Sequence, residues 1–80
     1  MKLTMFVANA ASTAAKPGET QNNLRLHLPP VSDKVDDQNL DVFPEQARKS
    51  GIIELQGLDA GLLDTFKGGQ RVTVTIEIAK

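Results

Sequence analysis

The sequence contains no cysteine, no tryptophan and no tyrosine, and it has a single histidine, His27. The lack of cysteine excludes a disulfide framework, a cysteine-ligated zinc or iron–sulfur centre and a thiol nucleophile. A run of about 18 or more apolar residues is also missing, and Lys2, Thr4 and Asn9 interrupt the apolar start of the chain. We therefore expect a soluble protein that keeps Met1 and has no signal peptide.

Charge of neither sign is in excess, because nine lysines and arginines stand against ten aspartates and glutamates. The resulting net charge of −1 provides no general attraction for nucleic acid. A chain of 80 residues has the size of one small domain, so we expect residues 1–80 to share a single core. The thin stability margin of such a core favours additional support from self-association or from a partner.

Alternation of apolar and polar residues predicts four strands in the sequence that is present. The predicted strands are residues 2–8, 24–28, 52–56 and 71–79. The side chains expected to point inward from them are Leu3, Met5, Val7, Leu24, Leu26, Leu28, Ile53, Leu55, Val72, Val74, Ile76 and Ile78. Pro29 and Pro30 end the second strand, since neither has an N–H group to donate to a ladder.

A short helix is predicted over residues 58–67, just before the last strand. Leu62, Leu63 and Phe66 recur there at helical spacing, and this apolar face is expected to cover the sheet. The glycine pair at 68–69 ends the helix, because glycine readily adopts the left-handed conformation that follows a helix.

Two long loops are predicted between these elements, at residues 9–23 and 31–49. A Pro-Gly pair at 17–18 indicates a turn in the first loop. The small residues around this turn fit either a hairpin loop or the ends of two long strands. In the second loop, Phe43 is expected to anchor the chain on the core, and residues 45–49 have room for one helical turn at most.

Together these elements predict an all-β-dominated α+β domain. Its expected centre is an antiparallel sheet of four or five strands, curled or partly closed into a barrel, with the short helix packed on it. The inward rows of the strands and the apolar helix face then form one small core.

The acidic second loop is the only cluster of carboxylates with enough oxygens to suggest a cation site. Its aspartates are Asp33, Asp36, Asp37 and Asp41. Calcium requires six to eight oxygen ligands at a defined spacing, with a glycine at the sharp turn, and this loop has neither that spacing nor a glycine. The cluster is therefore predicted to be a solvated loop without a metal.

Residues for catalysis or cofactor binding are equally sparse. His27 is a single potential ligand, whereas zinc requires three or four, and the sequence has no nucleophile motif that could use it as a base. The glycine pair at 68–69 follows a helix, whereas a phosphate-binding loop precedes one. We predict that the chain is not an enzyme, and that it holds neither a cofactor nor a metal ion.

The outward-facing residues remain as candidates for function. The candidate binding surface consists of Phe6, Arg25, His27, Lys49, Arg71, Thr73 and Thr75. Its basic and aromatic members are the residue types that hold single-stranded nucleic acid on a curved sheet. Its threonines lie on the last strand, which offers a pairing edge unless the fold covers it. We expect binding to a protein partner, with self-association into a dimer or small ring, and keep single-stranded nucleic-acid binding as the alternative.

The order of segments resembles a family of small proteins of tailed bacteriophages that have no assigned activity. The residues that carry this resemblance are Leu26, Leu28, Pro30, Val31, Ser32, Asp33, Phe43, the segment 50–55, the segment 66–69 and the segment 72–78. The chain departs from that family in its longer first loop and in lacking paired tyrosines in the final strand. The resemblance implies a virion component or an accessory factor, located in the virion or in the host cytoplasm.

Overall fold

The computed structural model of the protein describes residues 1–30 and 34–79, and for residues 15 and 16 the backbone alone. Within these ranges the strands are β1 (Lys2–Lys16), β2 (Glu19–His27), β3 (Ile52–Gln56) and β4 (Arg71–Thr75), and the helices are α1 (Val35–Gln38) and α2 (Ala60–Leu63). The strands form one antiparallel sheet in the order β3-β2-β1-β4. The predicted fold class is confirmed, and the sheet is open at both edges.

Strands β1 and β2 form a hairpin that is much longer than predicted. Residues 9–23 are not a loop but two paired strands, joined by a turn at the predicted Pro-Gly pair, where Gly18 has a φ of 81°. We call residues 8–23 the hairpin arm. Polar side chains bridge its strands, with Ser12 Oγ donating to Asn22 Oδ1 at 2.6 Å and Asn23 Nδ2 donating to Thr13 Oγ1 at 3.1 Å. The segment was predicted to be either a hairpin loop or the ends of two long strands, and the second alternative is correct.

A β-bulge at Ala8 explains why alternation failed to predict the arm. Val7 lies opposite Leu26 and Asn9 lies opposite Arg25, so Ala8 is the extra residue on β1. The bulge shifts the alternation by one position, and Ala10 rather than Asn9 continues the core side of the sheet. A strict period of two therefore cannot run through this position.

The core lies on one face of the sheet. Its buried side chains are Leu3, Met5, Val7, Leu24, Leu26 and Leu63. The half-buried side chains that pack against them include Leu28, Phe43, Ile53, Phe66, Val72 and Val74. These residues confirm most of the predicted inward rows and the predicted anchoring of Phe43.

Four of the apolar residues predicted to be inside are exposed instead. Leu62 is 49% exposed and Leu55 is 44% exposed. Helix α2 is a single turn, so it buries Leu63 and leaves its neighbour in solvent, whereas Leu55 lies on an edge strand. Ile76 and Ile78 are 46% and 96% exposed, because they follow β4 and lie past the pairing of Thr75 with Lys2, the first residue of β1. Within the predicted strand over 71–79, β4 itself ends at Thr75, and backbone pairing with the start of the chain reaches Ile76.

The chain between β2 and β3, which we call the second connection, contains more regular structure than the loop predicted at residues 31–49. Helix α1 lies within it, and a 3₁₀ turn at Gln46–Arg48 occupies the place where one helical turn was predicted. Residues 31–33, including Asp33 of the acidic cluster, are outside the described residues. Asn39 ends α1 with a positive φ of 50°.

Asn39 completes the sheet where β2 has already ended. Its side-chain Oδ1 accepts a hydrogen bond from the Thr4 backbone N–H at 2.7 Å, and its Nδ2 donates to the Thr4 carbonyl at 3.0 Å. An amide side chain has the same donor and acceptor as a peptide group, so Asn39 bonds β1 as a further residue of β2 would. Because Pro29 and Pro30 end β2, its backbone cannot pair with Thr4, and the Asn39 side chain takes that place.

The predicted helix over 58–67 is shortened to one turn. Asp59 is its N-cap, and its Oδ2 accepts from the Leu62 backbone N–H at 3.1 Å. Among the described residues, no helix has the length and apolar character needed to cross a membrane.

Candidate interaction surface

A row of side chains crosses the face of the sheet opposite to the core, which we call the outer face. Phe6 stands at its centre, directly opposite His27 on β2 and Arg71 on β4, and His27 in turn lies opposite Ile52 on β3. The rings of Phe6 and His27 meet edge to face with centroids 5.8 Å apart, and the Arg71 guanidinium carbon lies 5.8 Å from the Phe6 centroid. The structure therefore brings together three residues of the predicted surface by cross-strand pairing.

Arg71 is held by a carboxylate from α1. Its Nε lies 3.2 Å from Asp37 Oδ1 and its Nη2 lies 3.0 Å from Asp37 Oδ2, which is a two-pronged ion pair. The Asp37 side chain is only 7% exposed, whereas Arg71 is 47% exposed. The prediction that the acidic cluster is solvated is wrong for Asp37, although Asp36 and Asp41 are exposed. Nothing local in the sequence indicates this pair, because its members are 34 residues apart.

Lys49 faces the second connection rather than an open surface. Its Nζ donates to the Asp37 carbonyl at 3.2 Å and to Gln46 Oε1 at 2.8 Å, and the residue is half-buried. The ammonium group thus ties the 3₁₀ turn to α1. This geometry leaves Lys49 poorly placed to contact a partner.

Arg25 occupies the next row of the outer face and is also paired. Its Nη2 lies 3.4 Å from Oε1 of Glu54, the residue opposite it on β3. Both side chains are nearly half exposed, at 48% and 42%. The two arginines of the predicted surface are therefore each matched with a carboxylate.

His27 lies on the outer face, as the alternation of β2 predicts, and is half-buried there. Its Nε2 is buried and has no hydrogen-bond partner in the part of the chain that the structure describes. The ring packs on Phe6 instead. Within residues 1–30 and 34–79, no carboxylate or hydroxyl is hydrogen-bonded to this nitrogen.

Loss of the Arg71 side chain is expected to destabilise the fold, since it leaves the buried Asp37 carboxylate without its partner. For Arg71→Ala we expect a decrease of about 1–3 kcal/mol in the free energy of unfolding. Arg25→Ala is the matched control, and its half-exposed pair is expected to contribute less than about 1 kcal/mol. Urea denaturation of both variants measures the difference, and equal losses would contradict the structural role of the Arg71 pair.

No other strand of the described chain pairs with the outer edge of β4. Met1 and Ile76 exchange both backbone hydrogen bonds, with distances of 2.8 and 2.9 Å. In an antiparallel ladder, alternate residues point their N–H and C=O groups to opposite sides, so those of Thr73 and Thr75 point away from β1. Both threonines are exposed, and the described residues provide no partner for these groups. β4 is an edge strand of the sheet, and its pairing with a partner stays a prediction.

Sequence reasoning missed the part of this edge that extends past the sheet. Residues 76–79 continue the apolar and polar alternation of β4 but have no ladder partner in the described chain after Ile76. Only the register between β1 and β4 reveals this extension, because Lys2 lies opposite Thr75 and Met1 alone pairs with a residue after β4.

The remaining concave features are shallow. A cleft of about 480 Å³ separates α1 from β4, and its lining includes Thr4, Val35, Asp37 and Thr73. In the described ranges, no three His, Asp or Glu side chains converge in a way that could hold a metal ion. Charged side chains also line this cleft, among them Asp36 and Arg71.

Comparison with known proteins gave no match to a protein-family model, to a curated protein or to a solved structure. The resemblance to small tailed-bacteriophage proteins stays a prediction.

Proposed function

We propose that the chain is a non-enzymatic binding module that takes up an extended segment of a protein partner at the edge of β4. In this mode the partner adds a strand to the sheet, and backbone hydrogen bonds provide much of the affinity. Pockets and neighbours for alternate side chains then provide the selectivity.

The observation that carries this proposal is the open backbone of β4. The outward N–H and C=O groups of Thr73 and Thr75 have no partner among the described residues. The apolar row of the strand continues past its end into Ile76 and Ile78, which are 46% and 96% exposed. An isolated monomer gains nothing from an apolar row beyond its sheet. A strand laid against β4 would pair the free groups and cover part of this row.

The opposite edge of the sheet is better protected. On β3 the outward backbone groups belong to Ile52, Glu54 and Gln56, because Leu28 donates to the Gly51 carbonyl at 3.2 Å and the ladder alternates from there. Glu54 places a charge in the middle of that edge, which is a common protection against strand addition. On β4 the corresponding middle position is Thr73, which is uncharged.

Single-stranded nucleic acid receives no support from the outer face. Arg25 is paired with Glu54, Arg71 is paired with Asp37, and Phe6 is half-buried between His27 and Arg71. A stacking platform needs exposed rings and unpaired cations. Oligonucleotide binding whose affinity falls steeply as salt is added would support this alternative over a protein partner.

Hydrogen exchange tests the proposal with a peptide of alternating valine and threonine as the probe. In dilute protein, millimolar peptide is expected to slow exchange of the Thr73 and Thr75 amide protons several-fold, since each becomes hydrogen-bonded. The amide protons of Ile52 and Glu54 on the opposite edge are expected to keep their rates. Unchanged rates at β4, or slowing confined to β3, would contradict the proposal.

A proline at each edge provides matched variants. Thr73→Pro removes an outward N–H from β4 without removing a bond to β1, so it is expected to abolish the effect of the peptide. Gln56→Pro makes the same change on β3 and is expected to leave peptide binding intact. Equal loss in both variants would show that the effect of Thr73→Pro is not specific to the β4 edge.

A further inference from the structure

Residues 71–77 have a nearly symmetric arrangement of residue types about their centre, with charges of opposite sign at the two ends. From Arg71 to Glu77 the order is cation, valine, threonine, valine, threonine, isoleucine and anion. Val74 stands at the centre. Two copies of such a segment, run antiparallel, place opposite charges together at both ends.

We infer that the strand taken up at the β4 edge is β4 of a second copy of this chain. The inference rests on the proposed function and names its occupant. The two copies pair antiparallel about Val74, with Arg71 opposite Glu77 and Thr73 opposite Thr75. The arrangement is a two-fold dimer in which both copies use the same surface.

Hydrogen bonding limits the possible registers. Residues 71, 73 and 75 point their backbone groups outward, and residue 77 would do so if the same alternation continued. An outward residue must therefore lie opposite another outward residue. Symmetric pairings centred on Thr73, Val74 or Thr75 all satisfy this condition. Only the pairing about Val74 brings Arg71 opposite Glu77.

The charges at the two ends are able to form these pairs. Asp37 engages Nε and Nη2 of Arg71, which leaves the other terminal nitrogen of the guanidinium free to donate. Glu77 is exposed and has no ion-pair partner in the described chain. Each dimer therefore gains two cross-strand pairs, and neither requires Arg71 to leave Asp37.

The core side of the same strand also becomes matched. Val72 of one copy lies opposite Ile76 of the other, and Val74 lies opposite its own symmetry mate. Branched side chains pack well in such cross-strand positions. Ile76, one member of the exposed apolar row, thereby gains an apolar neighbour, and two four-stranded sheets join into one sheet of eight strands.

Single cysteine variants test the register, because the chain has no cysteine of its own. In the proposed dimer the two Val74 Cα atoms face each other across a non-hydrogen-bonded pair at about 4.5 Å, which suits a disulfide. When oxidised glutathione is added as the oxidant, two copies of Val74→Cys are therefore expected to become joined by a disulfide. Thr73→Cys and Thr75→Cys are the matched controls. Each is expected to remain unlinked, because residue 73 of one copy lies opposite residue 75 of the other and neither cysteine faces its own counterpart. Cross-linking of either control in place of Val74→Cys would overturn the proposed register.

Sedimentation equilibrium of the cysteine-free chain tests the dimer itself. Glu77→Arg turns both end pairs repulsive and is expected to raise the dimer dissociation constant about tenfold, whereas Glu77→Gln should raise it about threefold. A wild-type chain that stays monomeric at millimolar concentration would overturn the second copy as occupant. Slowed exchange at Thr73 with the valine–threonine peptide would still support the proposed function in that case, so the two failures are distinguishable.

Discussion

Met5→Ala is expected to lower the free energy of unfolding by about 2–5 kcal/mol. Met5 is 1% exposed and lies in the centre of β1, between β2 and β4, so its side chain fills the middle of the core. Alanine removes most of that side chain and leaves a cavity that the surrounding strands cannot close completely. A domain of this size has little stability in reserve, so the variant should be partly unfolded at moderate temperature.

Thermal and urea unfolding followed by circular dichroism measure this effect. Val35→Ala is the control, because Val35 is 73% exposed and its truncation should change stability by less than about 0.5 kcal/mol. A Met5→Ala variant as stable as Val35→Ala would mean that β1 does not lie at the centre of the core.

Asn39→Ala is the second substitution with a large expected effect, at about 2–4 kcal/mol. The change deprives the part-buried N–H and C=O groups of Thr4 of their partners, which are now 2.7 and 3.0 Å away. It also places a residue with a Cβ atom at a φ of 50°, where asparagine is tolerated better than alanine. Both losses act on the same edge of β1, so the second connection should detach from the sheet.

Two further variants separate these contributions. Asn39→Gly keeps the left-handed backbone accessible and loses only the amide, so it should be about 1 kcal/mol more stable than Asn39→Ala. Asn39→Asp keeps an acceptor for the Thr4 N–H but faces the Thr4 carbonyl with a carboxylate oxygen, and should remain well below the wild type. The amide bridge would be refuted by wild-type stability in the glycine variant.

The strands with one buried face were predictable, because burial imposes a period of two on their residues. Residues 52–56 and the ladder part of 71–79 were found for this reason. The hairpin arm was not, since many of its side chains are exposed and a bulge at Ala8 shifts the phase. Its turn was nevertheless predictable, because proline and glycine restrict the backbone in a specific way.

The interaction surface shows the same division. That Phe6, Arg25 and His27 share the outer face follows from alternation alone. Which of them meet depends on register, and register is set by the bulge and by bonds to distant segments. The burial of Asp37 against Arg71 depends on where the second connection crosses the sheet, and no periodic pattern records that path.

The hairpin arm has one more consequence, which concerns how the protein opens. Beyond Phe6 the β1 strand has no β4 beside it, and beyond Asn23 the β2 strand has no β3, so the far part of the arm is a ribbon of two strands. A ribbon without a third strand is marginal in water by itself. Its tip can therefore fray and close again while the remaining strands stay folded, and a protease would cut there first without releasing the core.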